Sequence, residues 1–187
     1  MDIAKFTERS RGFLQAAQTI AIRDFNQQLT PEHLLKAMLD DEEGAASALI
    51  RAAGGNPDAV RAANEQALAK LPKVQGGGAG QPQTTPDLVR VLDSAEQAAQ
   101  KAGDSFVAQD RLLVGIALSD TAAGKALKEN GAKPDALEKA IATIRKGRTV
   151  NSENAEANFD ALKKYARDVT EVAQAGKLDP VIGRDEE

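Results

Sequence analysis

Gly54-Gly55-Asn56-Pro57-Asp58-Ala59 has a second version, Gly131-Ala132-Lys133-Pro134-Asp135-Ala136, 77 residues further on. Working outward, Leu34-Leu35 meets Leu112-Leu113, Thr7 meets Thr85, Leu14 meets Leu92 and Glu32 meets Asp110, all at a shift of 78. Matches in this order at nearly one offset mark an internal repeat. Each repeat reads as four helices. Thr7 caps the first, which carries Phe13, Leu14, Ala17, Ile20 and Ala21 at helical spacing. Its counterpart opens at Thr85-Pro86, carries Leu88, Leu92, Ala95, Ala99 and Ala102, and stops at Gly103. The second helices hold Leu34, Leu35, Met38 and Leu39, and Leu112, Leu113, Ile116 and Ala117. Short third helices, around Leu49-Ile50 and Leu127, end at Gly54 and Gly131. Fourth helices start at Pro57 and Pro134 and bury Val60, Leu68, Leu137, Ile141 and Ile144.

At roughly 60–65 residues, one repeat is short of apolar surface for a core of its own. Two related by a pseudo-twofold axis would share one. The expected fold is therefore all-α: two four-helix repeats in residues 1–147 (repeat one 6–72, repeat two 84–147). The glycine-rich run from Gln75 to Thr84 reads as a flexible linker between them. A polar linker is expected over 148–158, and one further helix over 159–175 within a tail reaching residue 187. Composition agrees with helices. The chain is rich in alanine but has five Phe, one Tyr and no Trp, which suits close helix packing better than a β-sandwich.

Several function classes are excluded. With no cysteine there is no disulfide, thiolate metal site or cysteine nucleophile, and one histidine rules out a histidine-rich metal site. No apolar run is long enough to span a membrane, and the N-terminus does not read as a signal peptide. A net charge of -4 with mixed signs argues against nucleic-acid binding. The glycine run lacks the Gly-Lys-Ser/Thr of a phosphate loop. His33, three residues after the capping Thr30, reads as a capping or solvent-facing residue. The sharper alternative is a general base of a small hydrolase, built on His33 and nearby acids. Asp40-Asp41-Glu42-Glu43 reads as the acidic start of the third helix. Catalytic and metal-binding residues are not expected.

Between the first two helices of repeat two, Asp104-Ser105-Phe106-Val107 presents an apolar pair flanked by Asp104 and Asp110. Phe106 suits either the core or the wall of a shallow groove. Val89 lies off the main stripe of its helix. Together these residues mark a weak peptide-binding surface.

Leu29-Thr30-Pro31-Glu32-His33-Leu34-Leu35 and Phe106-Val107-Ala108-Gln109-Asp110-Arg111-Leu112-Leu113 resemble the Clp N-terminal repeat domain. Leu162 to Thr170 and Gly176 to Glu187 are similar to the entry to the first AAA+ module of ClpB-type bacterial disaggregases. The resemblance implies a cytoplasmic, ATP- and Mg-dependent homohexameric ring that threads aggregated polypeptides and works with the DnaK system. Its N-terminal domain, itself non-catalytic, catches unfolded or aggregated polypeptides for the ring. Thr7 and Asp104 match polar residues near that family's substrate groove, and Asp110 stands where a Glu is usual. Val181 and Ile182 match residues packed near the adenine of an intact AAA+ module. The fragment holds no cofactor site of its own and is expected to be a monomer that binds neither nucleic acid nor membrane. An adaptor-binding N-domain of a ClpA- or ClpC-type unfoldase is the alternative.

Overall fold

The computed structural model describes residues 3–41, 44–74 and 80–155. After a short 3-10 turn at Ile3–Lys5, repeat one contains α1 (Glu8–Arg23), α2 (Pro31–Asp40), α3 (Ala46–Ala52) and α4 (Pro57–Ala69). Repeat two contains α5 (Pro86–Lys101), α6 (Gln109–Leu118), α7 (Ala122–Glu129) and α8 (Pro134–Arg145). The starts are dictated locally. Thr7, Thr30, Asn56 and Thr85 side chains accept backbone N–H groups of the first turns, and proline opens α2, α4, α5 and α8.

The repeats interlock. Within each, the first helix packs on the second; across them, α3 packs on α8 and α4 on α7. Two short strands join the repeats in parallel: β1 (Gln28–Leu29) pairs with β2 (Gln83–Thr84), with Leu29 opposite Thr84. A separate parallel bridge joins Phe6 to Val107. A shift of 78 residues carries Phe6 to Thr84 and Leu29 to Val107, so the two pairings exchange under the repeat operation. Their hydrogen bonds match as well: Thr7 N–H donates to Val107 O, and Thr85 N–H to Leu29 O, both at 3.1 Å. Side chains reach across too. Glu32 Oε2 accepts from Ala123 N–H at 2.8 Å at the start of α7, and Gln109 Oε1 accepts from Ala45 N–H at 3.2 Å before α3. Phe6, Leu34, Leu35, Leu112, Leu113, Leu127 and Leu137 belong to one contiguous core drawn from both repeats.

The eight helices expected in the two repeats are present, and the strands are the addition: two-residue segments too short to leave a pattern. The acids at 40–41 play another part than expected. Asp40 ends α2 and pairs with Lys36 at 3.5 Å and Arg61 at 2.6 Å, while α3 starts later, without a side-chain cap. The polar stretch after α8 is anchored in its first part. Val150 is fully buried; its N–H donates to Asp104 Oδ1 at 3.0 Å, and its carbonyl accepts from Ser105 and Phe106. Glu153 O then accepts from Glu8 N–H at 2.8 Å, and its carboxylate pairs with Arg11 at 2.9 Å. Composition hid this strap because its anchors are one Val, backbone groups and two separated carboxylates, Asp104 and Glu153. The helix expected over 159–175, and Val181 and Ile182, lie outside the described residues.

The turns before α4 and α8 meet backbone to backbone. A Cβ on Gly131 would stand 2.8 Å from Gly55 Cα and 2.9 Å from Gly54 O, and its φ is +92°. Gly54 has φ +94° but open space around it. Gly131→Ala is therefore expected to cost about 2–4 kcal/mol, the left-handed penalty plus the clash, against about 1–2 kcal/mol for Gly54→Ala. Urea unfolding of the two variants checks this; equal losses would remove the backbone contact from the account.

Candidate functional site

The surface expected on repeat two is largely internal. Thr7 is fully buried as the α1 cap: its Oγ1 accepts from Ser10 N–H and donates to Ser10 Oγ, which donates to Val107 O at 2.9 Å. Val107 is 2% exposed, a core residue on the Phe6 bridge rather than a groove wall. Asp104 is 8% exposed, and both its oxygens accept from Arg145 Nη1 at 2.8 Å. Arg145 also forms a two-pronged pair with Asp110, at 2.8 Å and 2.7 Å. Arg111 adds a longer contact to Asp104 and pairs with Glu138. Burial alone would lower the Arg145 pKa; its bonds to Asp110 and Asp104 reverse this and hold it above the usual value. The carboxylates of Asp104 and Asp110 are thus engaged inside the protein. Of the six expected residues, Val89, at 43% exposure, and the half-buried Phe106 offer apolar side-chain surface.

In repeat two the first two helices approach closely at Gly115. A Cβ on Gly115 would stand 2.6 Å from Val91 O and 3.1 Å from Ala95 N, so α5 and α6 touch along their backbones. The matching residue of repeat one is Ala37. An open groove of about 620 Å³ lies between α1 and α2. Gly12, Phe13, Ala16, Ile20 and Ala37 supply apolar lining; Arg9 and Arg23 on the α1 side face Asp40 and Asp41 on the other. Sequence reasoning missed this groove. The readable signal was alanine against glycine at matched positions of the second helices.

His33 is fully buried. Its Nδ1 accepts from Thr30 N–H at 3.1 Å and meets Thr30 Oγ1 at 2.8 Å, while Nε2 meets Asn26 Oδ1 at 2.9 Å. An N–H on Nε2 and a lone pair on Nδ1 satisfy both ends, so the ring is neutral. Capping is therefore its role; it does not face solvent, and no ring nitrogen is left for a substrate. The hydrolase reading loses its base. The repeat operation carries Asn26 to Asp104 and His33 to Arg111, so a neutral pair in repeat one stands where repeat two has a charged pair. Among the described residues no helix is long and apolar enough to cross a membrane.

Residues 5–130 match the family model of the Clp repeat N-terminal domain. The chain belongs to this family. All 187 residues are 55% identical to the chaperone protein ClpB of Rhodopseudomonas palustris and 56% identical to that of Agrobacterium fabrum, spanning 21% of the length of each. The fold is shared with the Hsp104 N-terminal domain from Candida albicans: TM-score 0.70, 23% identity, 81% of this chain and 98% of that one. It is also shared with the ClpV N-domain in its complex with a VipB peptide: TM-score 0.61, 22% identity, 78% of this chain and 89% of that one. In this Clp repeat domain, repeat one keeps the open groove and repeat two the buried charges.

His33 gives the domain a pH dependence. Burial lowers its pKa from 6.5 to about 4, against a smaller raising effect of Asp24. The unfolded chain therefore binds a proton below pH 6.5 that the folded state refuses, and stability falls as pH drops toward 4. About 2 kcal/mol should be lost between pH 7 and pH 5, before most carboxylates titrate. Urea unfolding at the two pH values reads this. His33→Gln, which keeps an acceptor and a donor, should show a markedly flatter dependence; an unchanged dependence would remove His33 as its source.

Proposed function

We propose that this domain captures exposed apolar segments of unfolded or aggregated polypeptides and passes them to a ClpB-type, ATP- and Mg-driven hexameric ring that works in the cytoplasm with the DnaK system. The α1–α2 groove carries the reading. Its apolar floor fits aliphatic and aromatic side chains of varied sequence, and its mixed-charge rims select no single sign. Family membership, the identity to ClpB chaperones and the peptide bound by the ClpV N-domain support it. Capture itself needs no nucleotide, and the domain performs no chemistry. Thr7, Asp104, Val107 and Asp110 act by holding α1, the α6 entry and the strap in place. Val89 and Phe106 form a flatter apolar surface on repeat two. We place both repeats and the strap, through residue 155, in one folding unit.

A capture module must release what it binds, so a dissociation constant of about tens to hundreds of micromolar is expected, or about 5–6 kcal/mol. Fluorescence anisotropy with a labelled, permanently unfolded polypeptide measures it. Ala16→Arg places a cation in the groove and should weaken binding about tenfold or more with little change in melting temperature. Val89→Asp should have a small effect. The reverse ranking would move capture to repeat two. Retention of a folded adaptor alone, with no affinity for unfolded chains, would replace capture by the adaptor-binding reading.

A further inference from the structure

Gly12 stands inside α1, away from both of its ends, and its φ lies outside the left-handed region. Glycine is the poorest helix former after proline, because it gives up the most backbone freedom on folding. Nothing within the fold requires it here. A Cβ on Gly12 would meet no atom within 4 Å, whereas one on Gly115 would collide with the backbone of α5. A shift of 78 residues carries Gly12 to Arg90, whose long side chain pairs with Asp87 on α5. The same helix position thus accepts a large side chain in repeat two, while repeat one forgoes the helix stability that such a residue would add.

A residue that weakens its own helix without serving the packing points to a contact outside the fold. The place of that contact is given directly, because Gly12 lines the α1–α2 groove. Ala16, one turn further along the same face of α1, lines it too. With no Cβ at Gly12 and only a methyl group at Ala16, the main chain of an occupant can reach the backbone of α1. A longer side chain at position 12 would stand in that space. The lining on α1 runs from Arg9 to Arg23, a length of about 21 Å at the helical rise, which matches about six residues of extended chain. Main chain is common to every sequence, so a contact made through it suits a site that takes unfolded segments of many sequences.

We propose that Gly12 is the point at which the captured polypeptide lays its main chain against α1, so that an extended segment packs its backbone there and turns an apolar side chain toward Phe13, Ala16, Ile20 and Ala37. The inference rests on the capture reading and gives that site the residue whose size decides how closely a segment fits.

Anisotropy with the labelled unfolded polypeptide, run beside thermal melts, tests it on the whole chain. Gly12→Ala should raise the melting temperature by about 2–4 °C, since alanine favours the helix, and yet weaken binding about threefold as its methyl group enters the space of the occupant. Gly12→Gln, also a good helix former, should raise the melting temperature and weaken binding about tenfold. Stability and affinity moving in opposite directions is the signature of a contact with the occupant; a purely structural role for Gly12 moves stability alone. Parental affinity in Gly12→Ala would overturn the proposal, as would a fall in its melting temperature, which would make the glycine a requirement of the fold. The Ala16→Arg variant separates the two levels. If it abolishes binding while Gly12→Ala binds like the parent, the role of Gly12 alone is wrong. If it leaves binding intact, the groove reading fails first.

Discussion

The reciprocal parallel pairing of the two repeats is the constraint on which the rest of the structure depends. The segment entering the first helix of each repeat pairs with the segment entering the second helix of the other. These are few hydrogen bonds, each worth about 1 kcal/mol net, but they fix the register of two helical hairpins at once. With that register set, α3 falls on α8 and α4 on α7, and the Gly55 and Gly131 turns meet. Neither repeat closes a core alone, because each supplies a wall of the other's.

Symmetry at this level makes the local asymmetries informative. Gly115 brings α6 against the backbone of α5, whereas its counterpart Ala37 lines the groove of repeat one. Repeat two spends its polar residues on a buried Asp104–Arg145–Asp110 cluster, while repeat one uses the neutral Asn26–His33 pair. The closed repeat also receives the strap through Val150. Repeat two is thus pinned by buried charges, and repeat one carries the groove that faces solvent.

Much of the fold was legible because its signals are local. Thr7, Thr30, Asn56 and Thr85 announce helix starts, and Leu34-Leu35 against Leu112-Leu113 fixes the repeat. The surroundings of the expected site residues were not legible because their partners are distant in sequence. Asp104 looks available until Arg145, 41 residues away, is placed on it. Val107 looks like a surface hydrophobe until Phe6 and Lys5 pair with it across 101 and 102 residues. His33 escaped as a core residue because its partner Asn26 reaches it through the turn at Phe25, where φ is +59°. The resemblance pointed to the right family, and its polar positions Thr7, Asp104 and Asp110 are hydrogen-bonded within the domain.

The claim that binding belongs to the open repeat is tested most directly by backbone amide chemical shifts of the isotopically labelled chain, titrated with an unfolded polypeptide. The account predicts saturable shifts concentrated along α1 and α2, with α5, α6 and residues 104–113 largely unmoved. Shifts confined to residues 104–113, with the α1–α2 amides unchanged, would contradict it.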